Sequence, residues 1–119
     1  RNDEIRGLDF LLSVRALKEK FLDPKWLEGP GWDILINLYK ASMDSDSLSA
    51  EELCRYTDYT SPTLTRYLEY FTKSGMIEKS VFPLASHTFA PYTTVSLTDI
   101  ATRRMSDLLR ELHINSQIR

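Results

Sequence analysis

Three observations predict a mainly α fold carrying one small β-hairpin. Two helix-start signals, at Ser49 and Ser61, precede two short apolar patterns of helical period. After Gly75 the pattern turns β-branched and alternating. From Thr98 a helical period returns. At 119 residues the chain fits one domain, 1–119, and its 42% apolar and 27% charged content is that of a globular protein rather than a disordered one.

The first helix spans 4–22. Phe10, Val14, Leu17 and Phe21 form one helical stripe, which Ile5, Leu8 and Leu12 widen. A helix this apolar in its first half needs a second surface to cover it, its own core on one side and a second subunit on the other. Pro24, Gly29, Pro30 and Gly31 mark 23–31 as a connection. The second helix, "WDILINLYKASM", presents Trp32, Leu35, Leu38 and Tyr39, and "DSDS" at 44–47 reads as a polar loop.

Ser49 and Glu52 match the S-x-x-E capping box, with Leu48 and Leu53 at the positions of a hydrophobic staple. A short helix is predicted from about Ala50 to Tyr56. "TDYT" forms a turn, and Ser61 caps the next helix with Pro62 at its first position, where a missing N–H costs nothing. Gly75 ends it in the left-handed conformation. "MIEKSVF" and "YTTVSL" make the hairpin, joined by "PLASHTFAP". Thr98 caps a last helix with Asp99 in its first turn and Ile100, Met105, Leu108, Leu109 and Leu112 on its apolar face. The order is that of a winged helix-turn-helix: helix-turn-helix at about 49–75, wing at about 76–97, and terminal helices at about 4–22 and 98–114.

"LCRYTDYTSPTLTRYLEYFTKSG", continuing into "MIEKS" and closing with "VSLT", resembles the helix-turn-helix and wing of MarR-type winged-helix transcriptional regulators. The resemblance covers roughly residues 30–112. It implies a homodimer joined by the first and last helices, double-stranded DNA as partner, and in some members a small hydrophobic effector held near the dimer helices. Carried over by position, Pro62, Thr63, Thr65 and Arg66 occupy the groove-facing start of the recognition helix. The wing departs from the family pattern of basic residues. Residues 80–97 contain no Lys, Arg, Asp or Glu, which leaves His87 as the one group there able to become positive.

The residues themselves fit that chemistry. Short hydroxyls and forked donors read base edges, and a helix N-terminus attracts phosphate. Ser61, Pro62, Thr63, Thr65 and Arg66 supply that end, Tyr67 and Tyr70 stand at the groove edge, and Arg55, Lys79 and His87 can help on the flanks. Against this reading stand a solvated helix surface with one arginine and a net charge of −2. From Ser49 to Gly75, three basic residues (Arg55, Arg66, Lys73) face four acidic ones (Glu51, Glu52, Asp58, Glu69), so few phosphates are neutralised and binding falls only gently with salt. The apolar tip with Phe82, Leu84 and Phe89 folds back on the domain, meets a protein partner or touches the minor groove. Trp26, Trp32 and Tyr39 either line an effector pocket or pack the core.

Other classes lack their residues. His87 and His113 have no neighbour at metal-ligand spacing, no phosphate loop exists among four scattered glycines, and the lone Cys54 reads as a small core residue. No enzyme activity, cofactor or metal is expected. With no bilayer-length apolar run, no signal peptide and no cysteine pair, a reducing cytoplasm is the expected compartment. Starting at Arg1, the chain reads as trimmed. The expectation is a dimeric, sequence-specific DNA-binding regulator. The alternative is a winged-helix protein-interaction module that has lost DNA binding.

Overall fold

A computed structural model of the chain describes residues 2–22, 29–80 and 93–118. Five helices and a three-stranded antiparallel sheet follow in the order α1 (Asn2–Phe21), α2 (Gly29–Met43), β1 (Leu48–Ser49), α3 (Ala50–Thr57), α4 (Ser61–Lys73), β2 (Ile77–Ser80), β3 (Thr94–Leu97) and α5 (Asp99–Ile118). The mainly α architecture with a β-hairpin is as the sequence predicts, and it is a winged helix.

The strand order is β1-β3-β2, so β3 lies in the middle. Val95 faces Lys79 on one side and Leu48 on the other. Burial alternates along β3, with Val95 and Leu97 inward and Thr94 and Ser96 half-buried, as a strand with one covered face requires. β1 is absent from the sequence prediction. At two residues it is too short to show a period, and its pairing partner is more than forty residues away.

The core joins every layer. Ile34, Leu35 and Leu38 of α2, Leu53 of α3, Leu64, Leu68 and Phe71 of α4, and Met105 and Leu108 of α5 are all essentially inaccessible. On α5 the buried stripe is Ala101, Met105 and Leu108, with Leu112 packed against it. The predicted Ile100 is not on that stripe. It stands one position before Ala101, on the outer side of the first turn, and is exposed. Cys54 is half-buried against the core rather than within it.

Local signals set the helix ends. At α3 both halves of the capping box form, Glu52 N–H donating to Ser49 Oγ at 3.0 Å and Ser49 N–H to Glu52 Oε1 at 3.1 Å. Leu48 and Leu53, the staple pair, are both buried. At the end of α4, Gly75 adopts φ 76°, with Met76 N–H donating to Phe71 O at 2.9 Å and Gly75 N–H to Thr72 O at 3.2 Å. This is the Schellman arrangement, accompanied by burial of Phe71 and Met76.

The starts of α2 and α4 differ from the sequence reading, α1 begins two residues earlier, and α5 runs to Ile118, past its predicted end near 114. α2 begins at Gly29, so the Gly-Pro-Gly stretch assigned to the connection is its first turn; proline there removes an N–H that has no helical partner anyway. α4 begins at Ser61, and its cap is Thr60 rather than Ser61. Thr60 has the extended backbone of a cap, but its hydroxyl donates to Thr63 Oγ1 at 3.0 Å instead of accepting from a backbone N–H.

Of α1, only the second half meets the core, through Leu17 and Phe21. No residue of the helix is fully buried, and Leu8, Leu11 and Leu12 are 60–65% exposed.

These ends can be tested by chemical denaturation. Nothing lies within 4 Å of a Cβ built on Gly75, so Gly75→Ala meets no clash and carries only the left-handed backbone penalty, roughly 1–2 kcal/mol. Gly75→Asn is expected to lose less than alanine does. Ser49→Ala should lose about 1 kcal/mol through the capping box.

Candidate nucleic-acid interface

α4 is amphipathic by construction. Leu64, Leu68 and Phe71, spaced four and three apart, anchor it in the core. The opposite side presents Ser61, Pro62, Arg66, Glu69, Tyr70 and Lys73 to solvent. Thr63 and Thr65 are half-buried on its flanks, and the Thr63 hydroxyl, although it accepts from Thr60, keeps its own proton to donate. Tyr67 turns partly inward and packs against the core. The structure thus gathers Ser61, Pro62, Arg66 and Tyr70 on one open surface, with the two threonines at its margins and Tyr67 turned away.

The flanking candidates are spread more widely. Arg55 is exposed in the last turn of α3, and Lys79 is half-buried on β2 opposite Val95. His87, with Phe82, Leu84 and Phe89 of the apolar tip and Trp26, lies outside the described residues. Trp32 and Tyr39 pack against the core, and the Lys18 ammonium lies 4.0 Å from the centroid of the Trp32 ring. Core packing therefore accounts for both aromatics. Among the described residues no group of three His, Cys, Asp or Glu side chains can hold a metal ion. No helix among them is long and apolar enough to cross a membrane.

Two side-chain hydrogen bonds tie the ends of α4 to the rest of the fold. At its exit, the Thr98 hydroxyl donates to Gly75 O at 2.7 Å while accepting the Ala101 N–H at 3.2 Å. One side chain thus caps α5, as its sequence position predicts, and also fastens the carbonyl that ends α4. At the entry, Tyr59 Oη donates to Asp33 Oδ2 of α2 at 2.9 Å. The sequence reading assigned Tyr59 only to a turn. An aromatic residue between two capped helices is the one local hint of its role, and the partner lies 26 positions away.

The surroundings of Tyr59 shift its titration. Its hydrogen bond to the Asp33 carboxylate, followed by desolvation and the charge of Asp33, raises the phenol above its ordinary value of 10.0. A raised pKa favours the neutral form in the native state. The resulting stability is fully present below pH 10.0 and is lost as pH rises through the native value. Urea denaturation across that range should show a steeper alkaline loss in the wild type than in Tyr59→Phe.

No protein-family model matches the chain, and a search of curated proteins finds no match. Solved structures do match over nearly its whole length. NadR, in complex with 4-hydroxyphenylacetate, shares 13% identity at a TM-score of 0.65, covering 99% of this chain and 76% of that one. The F27L mutant of S. aureus MepR, bound to an oligodeoxyribonucleotide, shares 14% at 0.71, covering 97% and 76%. AdcR, the adhesin competence repressor of Streptococcus pyogenes, shares 17% at 0.53, covering 95% and 75%. The likeness lies in the arrangement of helices and sheet, and the chain has the winged-helix fold of these MarR-family regulators.

Proposed function

We propose that the chain is a non-enzymatic transcription regulator that binds double-stranded DNA in a sequence-specific way, as a homodimer, through the first turns of α4. The observation that carries this is the two-sided character of that helix: three core residues and a tie at each end fix it, while Ser61, Pro62, Arg66 and Tyr70 face outward. Arg66 offers a forked donor for a guanine edge, Thr63 and Thr65 offer hydroxyls, and the helix N-terminus offers backbone N–H groups to phosphate. Arg55 and Lys79 stand on neighbouring elements as phosphate contacts. The oligonucleotide complex of MepR, which has the same fold, supports this assignment.

Dimerisation is the reading that best explains α1. Ile5, Leu8, Leu11 and Leu12 expose large apolar side chains on its first half, and Ile114 does so near the end of α5, the helix against which α1 packs. A second copy covering these helices removes that surface from water. Two recognition helices would then read half-sites about one duplex turn apart. A small hydrophobic effector near the dimer helices is in keeping with the 4-hydroxyphenylacetate complex of NadR.

The first test is a selection from fragmented genomic DNA at low salt, followed by titration of the enriched sequence. A palindromic motif is expected, with Arg66→Ala weakening binding by about 10- to 100-fold. The slope of affinity against salt should be shallow, as the scarcity of cations around α4 requires. Retention equal to that of Arg66→Ala on every sequence would instead favour the protein-interaction module, in line with the net acidic balance of residues 49–75. In sedimentation equilibrium the wild type should be a dimer and Leu8→Glu/Leu12→Glu a monomer. That variant should keep its helical circular dichroism, because neither residue is buried in the core.

A further inference from the structure

Helix α4 lacks one determinant that usually fixes where a helix starts. Its cap residue, Thr60, makes no side-chain bond to the backbone of the first turn; its hydroxyl points to Thr63, donating to Oγ1 at 3.0 Å. The chain reaches that cap from Asp58, which ends α3 with a left-handed φ of 62° that non-glycine residues seldom adopt. Three residues, 58–60, therefore link the two helices, with an uncommon backbone at one end and a helix start without a side-chain cap bond at the other. Local preferences alone specify such a turn weakly.

Tyr59 sits in the middle of it. The ring packs against the core, and the hydroxyl donates to Asp33 Oδ2 at 2.9 Å. The carboxylate is itself well placed to act as a fixed point. Asp33 stands between half-buried Trp32 and fully buried Ile34 on α2, and its own carbonyl accepts the Asn37 side-chain amide at 2.8 Å. A hydrogen bond to a charged acceptor is stronger than one between neutral groups, and this one spans elements rather than neighbouring residues. It places the turn against α2, two residues ahead of Ser61 and within one helical turn of Thr63.

We propose that Tyr59 and Asp33 are a positioning pair for DNA binding, their hydrogen bond setting where α4 begins and hence how Pro62, Thr63 and Arg66 meet the base edges. This rests on the DNA-binding reading of α4. Tyr59 acts through the helix and makes no DNA contact of its own. Base readout through hydrogen bonds tolerates little misplacement, so a turn that can shift loses affinity without losing a contact residue.

The test uses the full chain with Tyr59→Phe, Asp33→Ala, Asp33→Asn and the double variant Tyr59→Phe/Asp33→Ala. Each is titrated with the DNA selected by the wild type, and native-state amide hydrogen exchange is followed at Asp58 and Leu64, whose N–H groups bond to Cys54 O and Thr60 O on either side of the turn. Tyr59→Phe and Asp33→Ala should each weaken DNA binding by about three- to thirtyfold. The double variant should be no worse than either single one. Asp33→Asn, which keeps an acceptor oxygen, should recover most of the affinity, a rescue that general destabilisation would not give. The Leu64 amide should exchange faster in Tyr59→Phe than in the wild type. Unchanged affinity in Tyr59→Phe, or additive losses in the double variant, would overturn the proposal. Should the wild type bind no DNA, the DNA-binding reading fails and exchange decides the rest: faster exchange at Leu64 in Tyr59→Phe retains the positioning pair, and unchanged exchange removes it.

Discussion

The junction of Gly75, Met76 and Thr98 is the constraint on which the rest of the fold hangs. Gly75 ends α4 in a backbone conformation open to glycine at little cost, and Met76 turns inward to meet Phe71. β2 leaves from the next residue. Thr98 returns from β3, donates to the Gly75 carbonyl and starts α5 with the same hydroxyl. The Thr98 N–H also donates to Met76 O at 3.0 Å. Helix α4, both hairpin strands and the last helix therefore meet within a few residues. The outward face of α4 can be polar because its inward face and its exit are so fully determined.

Much of this was legible in the sequence because its determinants are local. A capping box needs residues three apart, a Schellman end needs one glycine, and Leu64, Leu68 and Phe71 declare their face by spacing alone. What could not be read depends on distant partners or on competition between neighbours. β1 exists because Val95 and Thr94 come to it across the fold. Thr60 rather than Ser61 is the cap of α4 because its backbone is extended while Ser61 is already helical, and residue type cannot distinguish two adjacent hydroxyl residues. Ile100 seemed a core residue on hydropathy, yet Ala101 holds the inward position and a larger side chain is left outside.

The candidate site follows the same division. Arg66 and Pro62 were placed by their position in a capped helix, and the structure puts both on its open face. Tyr67 is expected at the groove edge, but three positions after Leu64 and four before Phe71 it flanks the buried stripe and packs against the core. The role of Tyr59 has little local signature, because its partner Asp33 lies on another helix. The scarcity of positive charge around α4 bears on how such a surface would choose a ligand. With few cations to hold any duplex through its phosphates, discrimination falls to the fit of a handful of side chains, and fit depends on the rigidity of what carries them.

Ser49 belongs to two elements at once. It is the last residue of β1, paired with Thr94, and it is the cap from which α3 starts, while the neighbouring Ala50 N–H donates to Thr93 O at 3.1 Å. The wing strand is therefore riveted to the head of the helix-turn-helix, with no slack between them. A pull on β3 along its own axis would load the first turn of α3 through these bonds. Slippage by one residue would also turn Val95 and Leu97 out of the core. Force arriving at β3 would thus be carried into α3 and, through the short turn that follows, toward the start of α4.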